Sequence, residues 1–253
     1  MHPLIAIGFL VFFFGSLGVG IRLLLLSWRT RMLPELLIGI GVLGIGPAGF
    51  GGLIAAMEIS KTNPERGEFL FMLAFVAMAI GILSNWIFNW RVYHPNSRVL
   101  AVVVSSIGAI LVGHFFYYSL GPGFSDIHLL TPIAHSRSLL QVGCLLWGSA
   151  EALMFWRKML RRSALGLASP ELTNRFLLWG IGAGAAGIGT AIGTIAGIMT
   201  GKGALEIPWV VTSSSAHGFV AAMAMWLAFL PPAWYRRWVN ENELEICAPA
   251  TGN

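Results

Sequence analysis

The chain has 253 residues, of which 56% are hydrophobic and only 11% are charged, and its mean hydropathy is +0.75. This composition is typical of an integral membrane protein, and it excludes a soluble enzyme, a disordered chain and a secreted disulfide scaffold. The net charge of +5 reflects basic cytoplasmic loops, so we expect contact with the lipid bilayer and no nucleic-acid partner.

Seven apolar stretches reach the length of roughly 20 residues that one membrane crossing needs. They predict an all-α bundle of seven transmembrane helices that forms a single membrane domain over residues 1–253. In chain order the predicted spans are 3–28, 33–57, 69–90, 99–120, 133–156, 176–200 and 207–231. The first stretch lacks a basic n-region and a small-residue cleavage pattern, so we expect a retained helix in place of a signal peptide. The loop 157–175 and the tail after Pro232 are too short to form further domains.

Basic residues in alternate loops set the predicted orientation. One side holds eleven of them: Arg29, Arg31, Arg91, Arg98, Arg157, Lys158, Arg161, Arg162, Arg175, Arg236 and Arg237. The other side holds four: Lys61, Arg66, Arg137 and Lys202. Because cytoplasmic loops are the basic ones, the N-terminus is predicted outside and the C-terminus in the cytoplasm. The predicted location is the plasma (inner) membrane, with multiple crossings.

Two segments of the chain suggest an internal duplication. Leu36–Gly41 (LLIGIG) matches Leu177–Gly182 (LLWGIG), and Phe75–Ala77 (FVA) matches Phe219–Ala221. The matches suggest two parallel three-helix units joined by the fourth helix, a 3+1+3 arrangement. Shared membrane composition is the alternative explanation. The arrangement resembles, in topology only, the seven-helix sugar transporters and a scheme proposed for opsins. The first span lacks the Pro-Gln signature of those transporters, and the seventh lacks the lysine that retinal would need.

Glycine dominates the sixth span, with residues at 180, 182, 184, 187, 189, 193 and 197. Small residues four apart let helix backbones approach closely in lipid. The pattern therefore predicts a helix packed in the centre of the bundle; the alternative is a mobile element or the wall of a ligand cavity.

Charged and amide side chains inside predicted spans are candidates for function, because a charge at bilayer depth is costly unless it is paired or hydrated. Arg22 and Glu151 lie at similar depths near the inner ends of the first and fifth spans, and Asn85 lies at the same level in the third. We expect an ion pair between Arg22 and Glu151, completed by Asn85 through hydrogen bonds. The alternatives are a proton-coupled role for the carboxylate and an Arg22 that snorkels to the interface.

Histidines and hydroxyl groups gather toward the outer side. An outward-opening cavity lined by polar side chains is the predicted ligand site: His114, Tyr117, His135, Ser214 and His217. Ser213 lies one turn before His217, which favours a hydrogen-bonded imidazole. His128 lies beside Asp126 in the outer loop. The alternative is a haem or metal site that uses His114 and His217.

The predicted function is the binding of a small molecule within the helix bundle, for transport or for sensing. Sensing would require a cytosolic or membrane protein partner on the basic surface Arg157–Arg162. The alternatives are a haem- or metal-binding redox protein and a structural subunit of a membrane complex. The identity of any cofactor is left open. No phosphate-binding loop, zinc-protease motif or nucleophile elbow is present in the sequence, so we expect no enzyme activity.

Overall fold

The computed structural model describes residues 3–125 and 132–247, with side chains over 6–125 and 132–241. Within these ranges the chain is helical, with turns and no strand. Its eight helices are α1 (Pro3–Thr30), α2 (Leu33–Ser60), α3 (Pro64–Tyr93), α4 (Arg98–Leu120), α5 (Pro132–Ser163), α6 (Pro170–Thr200), α7 (Pro208–Phe229) and α8 (Ala233–Cys247). The first seven are long and apolar enough to cross a membrane, which confirms the prediction of a multi-pass membrane protein. Asp126 and His128 lie outside the described residues.

Short polar residues fix the beginnings of three membrane helices. The side chains of Asn63, Ser97 and Ser169 each accept a hydrogen bond from the backbone N–H three residues on, at the first turn of α3, α4 and α6. Pro64 and Pro170 follow two of these caps. At the first position of a helix the backbone N–H has no helical partner, so a proline there costs no hydrogen bond. Capping side chains and prolines in the turns therefore determine where these helices begin.

Two segments that were predicted to be cytoplasmic are more helical than expected. The predicted loop 157–175 shrinks to residues 164–169 because α5 continues to Ser163 and α6 starts at Pro170. Arginine, lysine and leucine are good helix formers, so a helix that leaves the bilayer continues through them. The tail also forms α8, which is held against α6 by a hydrogen bond of 2.9 Å between Asn174 Nδ2 and the hydroxyl of Tyr235.

The second membrane helix contains a π-helical segment at Gly46–Gly51. Pro47 lies in this segment. Proline has no backbone N–H to donate to the preceding turn, and a wider turn accommodates its ring. The two α-helical parts of α2, Leu33–Ile45 and Gly52–Ser60, flank it.

The helices pack mainly against their neighbours in the chain. Helix α2 lies against α1 and α3, and α6 lies against α5 and α7, while α1 contacts α7 and α3 contacts α5. Helix α4 packs chiefly on α3. A Cβ on Gly180 or Gly187 would meet leucine side chains of α5, and one on Gly182 or Gly189 would meet side chains of α7. The glycines of α6 therefore pack closely against both α5 and α7, which confirms the prediction of close packing for this helix.

Candidate functional site

A carboxylate and an imidazole meet at the C-terminal end of α3, in the second half of α5. Glu151 of α5 is buried, and its Oε1 lies 2.5 Å from Nε2 of His94, the residue directly after α3. The same oxygen accepts a hydrogen bond of 3.1 Å from the indole N–H of Trp147, one turn earlier on α5. The His94 ring also stacks on Trp147, with the ring planes 20° apart. The carboxylate, the imidazole and the indole thus form one cluster.

From this cluster, polar contacts follow the interface between α3 and α5. Arg137, Cys144 and Glu151 are spaced by seven residues, which is close to two helical turns, so they share one face of α5. Asn89 on α3 is 1% exposed and donates its Nδ2 to the carbonyl of Cys144 at 2.8 Å. Trp86 donates its indole N–H to an α5 carbonyl one turn earlier, at 3.0 Å. We call this line of contacts, from Arg137 through Trp86 and Asn89 to Glu151, the α3–α5 seam.

Arg137 lies buried at the other end of the seam, with 9% of its surface exposed. One of its guanidinium nitrogens, Nη1, lies 3.5 Å from the sulfur of Met78, and its guanidinium carbon lies 5.7 Å from the centre of the Phe75 ring. Within the described residues no carboxylate forms an ion pair with it. Glu68, two turns before Phe75 on α3, instead accepts hydrogen bonds from the backbone N–H groups of residues 124–125. Counting Arg137 with the outer loop residues was therefore wrong, since its side chain is inside the bundle.

Two polar atoms beside Arg137 are buried without a hydrogen-bond partner among the described residues: the hydroxyl of Tyr118 and Nδ1 of His114. The Tyr118 ring packs on Phe75 with the ring centres 5.6 Å apart. Nε2 of His114 lies 3.1 Å from the hydroxyl of Ser136, the residue before Arg137. Tyr118 thus packs on the same Phe75 ring that the Arg137 guanidinium lies over, and His114 contacts the residue next to Arg137 in the chain. Buried polar atoms normally have partners, so these two require an explanation.

The predicted ion pair between Arg22 and Glu151 is wrong. Arg22 is exposed, and its Nε donates to the carbonyl of Phe229 at 2.8 Å. That carbonyl belongs to the last turn of α7, and prolines follow it. Carbonyls in the last turn of a helix have no helical N–H partner, so a cationic side chain beside them is favourable. Asn85 is buried, donates to the Gly81 carbonyl of its own helix at 3.0 Å, and packs on Gly41 of α2. Each of the three residues therefore has a different partner.

Because Arg22 and Glu151 share no contact, we expect their substitutions to act independently. The Arg22→Ala and Glu151→Ala changes should add in a double mutant, with a coupling free energy below about 0.5 kcal/mol. Thermal unfolding of the wild type, the two single mutants and the double mutant in detergent measures this coupling. If Glu151→Ala instead recovered the stability lost in Arg22→Ala, the result would support an ion pair between the two side chains and contradict their separate placement.

The five outer residues predicted to line one cavity have different surroundings. His114 lies against α5, whereas His217 of α7 packs on Gly189 of α6 and has its Nδ1 2.7 Å from the Ser213 carbonyl oxygen. The prediction that Ser213 and His217 interact is thus confirmed. Tyr117 and Ser214 are exposed and His135 is half-buried. The described part of the chain contains no cluster of three metal-binding side chains.

A groove lies elsewhere, between the start of α2 and the end of α3. It has a volume of about 410 Å³ and is lined by Leu33, Pro34, Leu37, Arg91, Val92, Pro95 and Asn96. This is the end of the bundle that the distribution of basic residues predicts to be cytoplasmic. The outward-opening cavity of the sequence analysis stays a prediction.

The sequence matches no protein-family model, and it matches no curated protein and no solved structure. The function is therefore argued from the site alone. Of its residues, Glu151 was predicted, whereas His94, Trp147, Asn89 and Arg137 were missed. The spacing of Trp147 and Glu151, one turn apart on α5, was the available signal for the indole donor.

Proposed function

We propose that this protein carries a small molecule across the plasma (inner) membrane together with protons, or in exchange for them, along the α3–α5 seam. The observation that carries this proposal is the pair formed by Glu151 and His94. A carboxylate enclosed by membrane helices is costly, and such groups commonly serve ion and proton pathways. The partner of this one is an imidazole, a group whose ring nitrogens can both donate and accept a proton.

The two members of the pair differ in their access to water. The side chain of Glu151 is 10% exposed and that of His94 is 43% exposed. A proton on the imidazole can therefore exchange with solvent, while the carboxylate 2.5 Å away lies inside the bundle. The arrangement suits a relay between the cytoplasm and the seam. Trp147, which donates to the same carboxylate oxygen, holds Glu151 in place for it.

The position of Glu151 along α5 supports placing the Glu151–His94 pair at the cytoplasmic end of the proposed pathway. Glu151 comes nineteen residues after Pro132, at which α5 begins, so it lies about 28 Å along the helix axis at a rise of roughly 1.5 Å per residue. The hydrocarbon core is about 30 Å thick. With the N-terminus outside, as the basic loops indicate, the pair stands near the inner boundary of the hydrocarbon core.

The packing of the helices supports two similar halves. Helices α1 to α3 pack consecutively, as do α5 to α7, and the two groups meet where α3 contacts α5 and α1 contacts α7. Helix α4 stands at the side of this ring. A parallel 3+1+3 duplication would produce this pattern of contacts. In transporters built from repeats the substrate site lies between the halves, which is where the α3–α5 seam runs.

The test is proton flux in proteoliposomes that contain a pH-sensitive dye. Small carboxylates, amines and sugars are added outside one at a time, under a potassium diffusion potential. For at least one compound we expect internal pH to change in the wild type and the initial rate to fall at least tenfold in Glu151→Gln, because the amide cannot take up a proton.

The matched control is Glu58→Gln. Glu58 is an exposed carboxylate that pairs with Lys61 at 2.7 Å, so the same substitution there should leave the rate unchanged. The proposal fails if no compound moves protons, or if the Glu151→Gln protein, shown to be folded by size-exclusion chromatography, transports like the wild type.

A further inference from the structure

We infer that the Arg137 end of the seam binds a small monovalent anion, such as chloride or the carboxylate group of a small acid. Arg137 is nine-tenths buried, forms no ion pair within the described residues, and has a thioether and an aromatic ring beside its guanidinium. Neither neutralises a guanidinium. A buried cation that lacks an anionic partner is strongly disfavoured, and an anion from solution would supply that partner.

The donors beside Arg137 suit such a ligand. The guanidinium has five N–H groups in a planar fork and makes one weak contact through Nη1, with the sulfur of Met78. The Tyr118 hydroxyl is buried and unbonded among the described residues. A phenol that donates to an anion, next to a guanidinium that does the same, would satisfy both groups at once.

The surroundings limit the size of the anion. Phe75, Tyr118 and Phe124 pack on one another with ring centres 5.6–6.0 Å apart, and Phe115 joins them. The edges of aromatic rings carry partial positive charge, which is compatible with an anion. Rings packed this closely exclude a ligand as large as a nucleotide or a sugar phosphate, so the inference is limited to a single small ion or one carboxylate group.

The one carboxylate described on this face of α3 is already engaged. Glu68 accepts hydrogen bonds from the backbone of residues 124–125 and so fixes the turn that places Phe124 in the aromatic cluster. Glu68 thus shapes the end of the seam and leaves Arg137 unpaired. Asp126 lies outside the described residues, and the experiment below includes it.

If the anion is the transported species, this inference names the substrate class of the proposed transporter and to that extent rests on it. Arg137 and Glu151 stand fourteen residues apart on one face of α5, about 21 Å along its axis. An anion at one end of the seam and a proton at the other would form a neutral pair of cargoes. Binding itself requires no transport, so it can be tested separately.

The experiment is thermal unfolding of the purified full-length protein in detergent. Sodium chloride, or sodium acetate, replaces sodium gluconate stepwise at constant sodium concentration and ionic strength. Gluconate serves as the reference because its hydroxylated chain is as long as a sugar, a size that the ring packing excludes. A ligand that binds only the folded state raises Tm in a saturable way. We expect such a rise of several degrees in the wild type and its loss in Arg137→Met, which keeps an unbranched side chain of related shape without the charge.

Two controls locate the site. Arg66→Met removes an exposed arginine near the start of α3 and should keep the wild-type response, which shows that general charge loss is not the cause. Asp126→Asn should also keep it; an anion response that appears only in Asp126→Asn would mean that the loop carboxylate fills the site, and would overturn the inference.

A further variant covers the case in which Arg137→Met does not fold. Arg137→Lys keeps a positive charge but loses the fork of donors, so its saturation midpoint should rise at least tenfold. Equal responses of the wild type and the Arg137 variants, or no difference between chloride, acetate and gluconate in the wild type, would overturn the inference. Anion binding without proton flux would contradict the proposed transport but support the anion site. Proton flux without an Arg137-dependent response to anions would support the transport and contradict the anion site.

Discussion

Replacing Gly44 with alanine should lower the stability of the protein, although alanine is the better helix former. Gly44 of α2 faces α3, and a Cβ there would lie 2.5 Å from the carbonyl oxygen of Ala77 and 2.9 Å from Cα of Gly81. These are backbone atoms, which cannot rotate away, so α2 and α3 must move apart. Overpacking costs about 1–3 kcal/mol or more against a gain of about 1 kcal/mol in helix propensity. Because the close contacts are with backbone atoms, we expect a cost in the upper part of that range and a net loss of about 1–2 kcal/mol, seen as a drop in Tm.

The matched control is Gly113→Ala on α4. A Cβ at Gly113 would meet no atom within 4 Å, so only the propensity gain applies. The same substitution should therefore leave Tm unchanged or raise it slightly. Equal losses at both positions would mean that the close contact of α2 with α3 is not what makes glycine necessary at Gly44.

The seven membrane helices could be predicted because each is specified by a local quantity, the length of an apolar run between turn signals. The predictions of helix ends and of α8 were wrong or missing because the length of an apolar run carries no information about them. Arg157 and Lys158 end the apolar run of α5, but a helix has no reason to stop where the bilayer does, and it continues to Ser163. Helix α8 was missed for a related reason: its packing on α6 through Tyr235 is a tertiary contact.

The candidate site was harder to predict because depth in the bilayer can be counted along the sequence, whereas the neighbour of a side chain cannot. Glu151 was identified from its position in an apolar span. Arg22 was chosen as its partner because it lies at a similar depth, but the packing places His94 there instead. His94 follows the end of α3 directly, where the sequence shows only a turn before Pro95.

Replacing Asn89 with alanine should produce the second large loss of stability. Asn89 is 1% exposed at the centre of the α3–α5 seam, where it donates to the Cys144 carbonyl at 2.8 Å and packs on Gly148. Alanine removes the hydrogen bond and leaves a void between two helices. Hydrogen bonds between membrane helices are worth about 0.6–2 kcal/mol, and loss of a buried side chain of this size adds to that. We expect a loss of about 2–4 kcal/mol, measured by thermal or denaturant unfolding in detergent.

Asn89→Leu separates the two contributions, because leucine fills a similar volume and donates no hydrogen bond. The Cys144 carbonyl keeps its place in the helical ladder of α5, so the leucine variant leaves no unpaired buried acceptor, and its loss should stay within about 1 kcal/mol. If leucine destabilises as much as alanine, the hydrogen bond holds the seam together and packing is secondary. If neither variant is less stable than the wild type, α3 and α5 do not meet at Asn89, and the continuous seam between Arg137 and Glu151 would have to be abandoned.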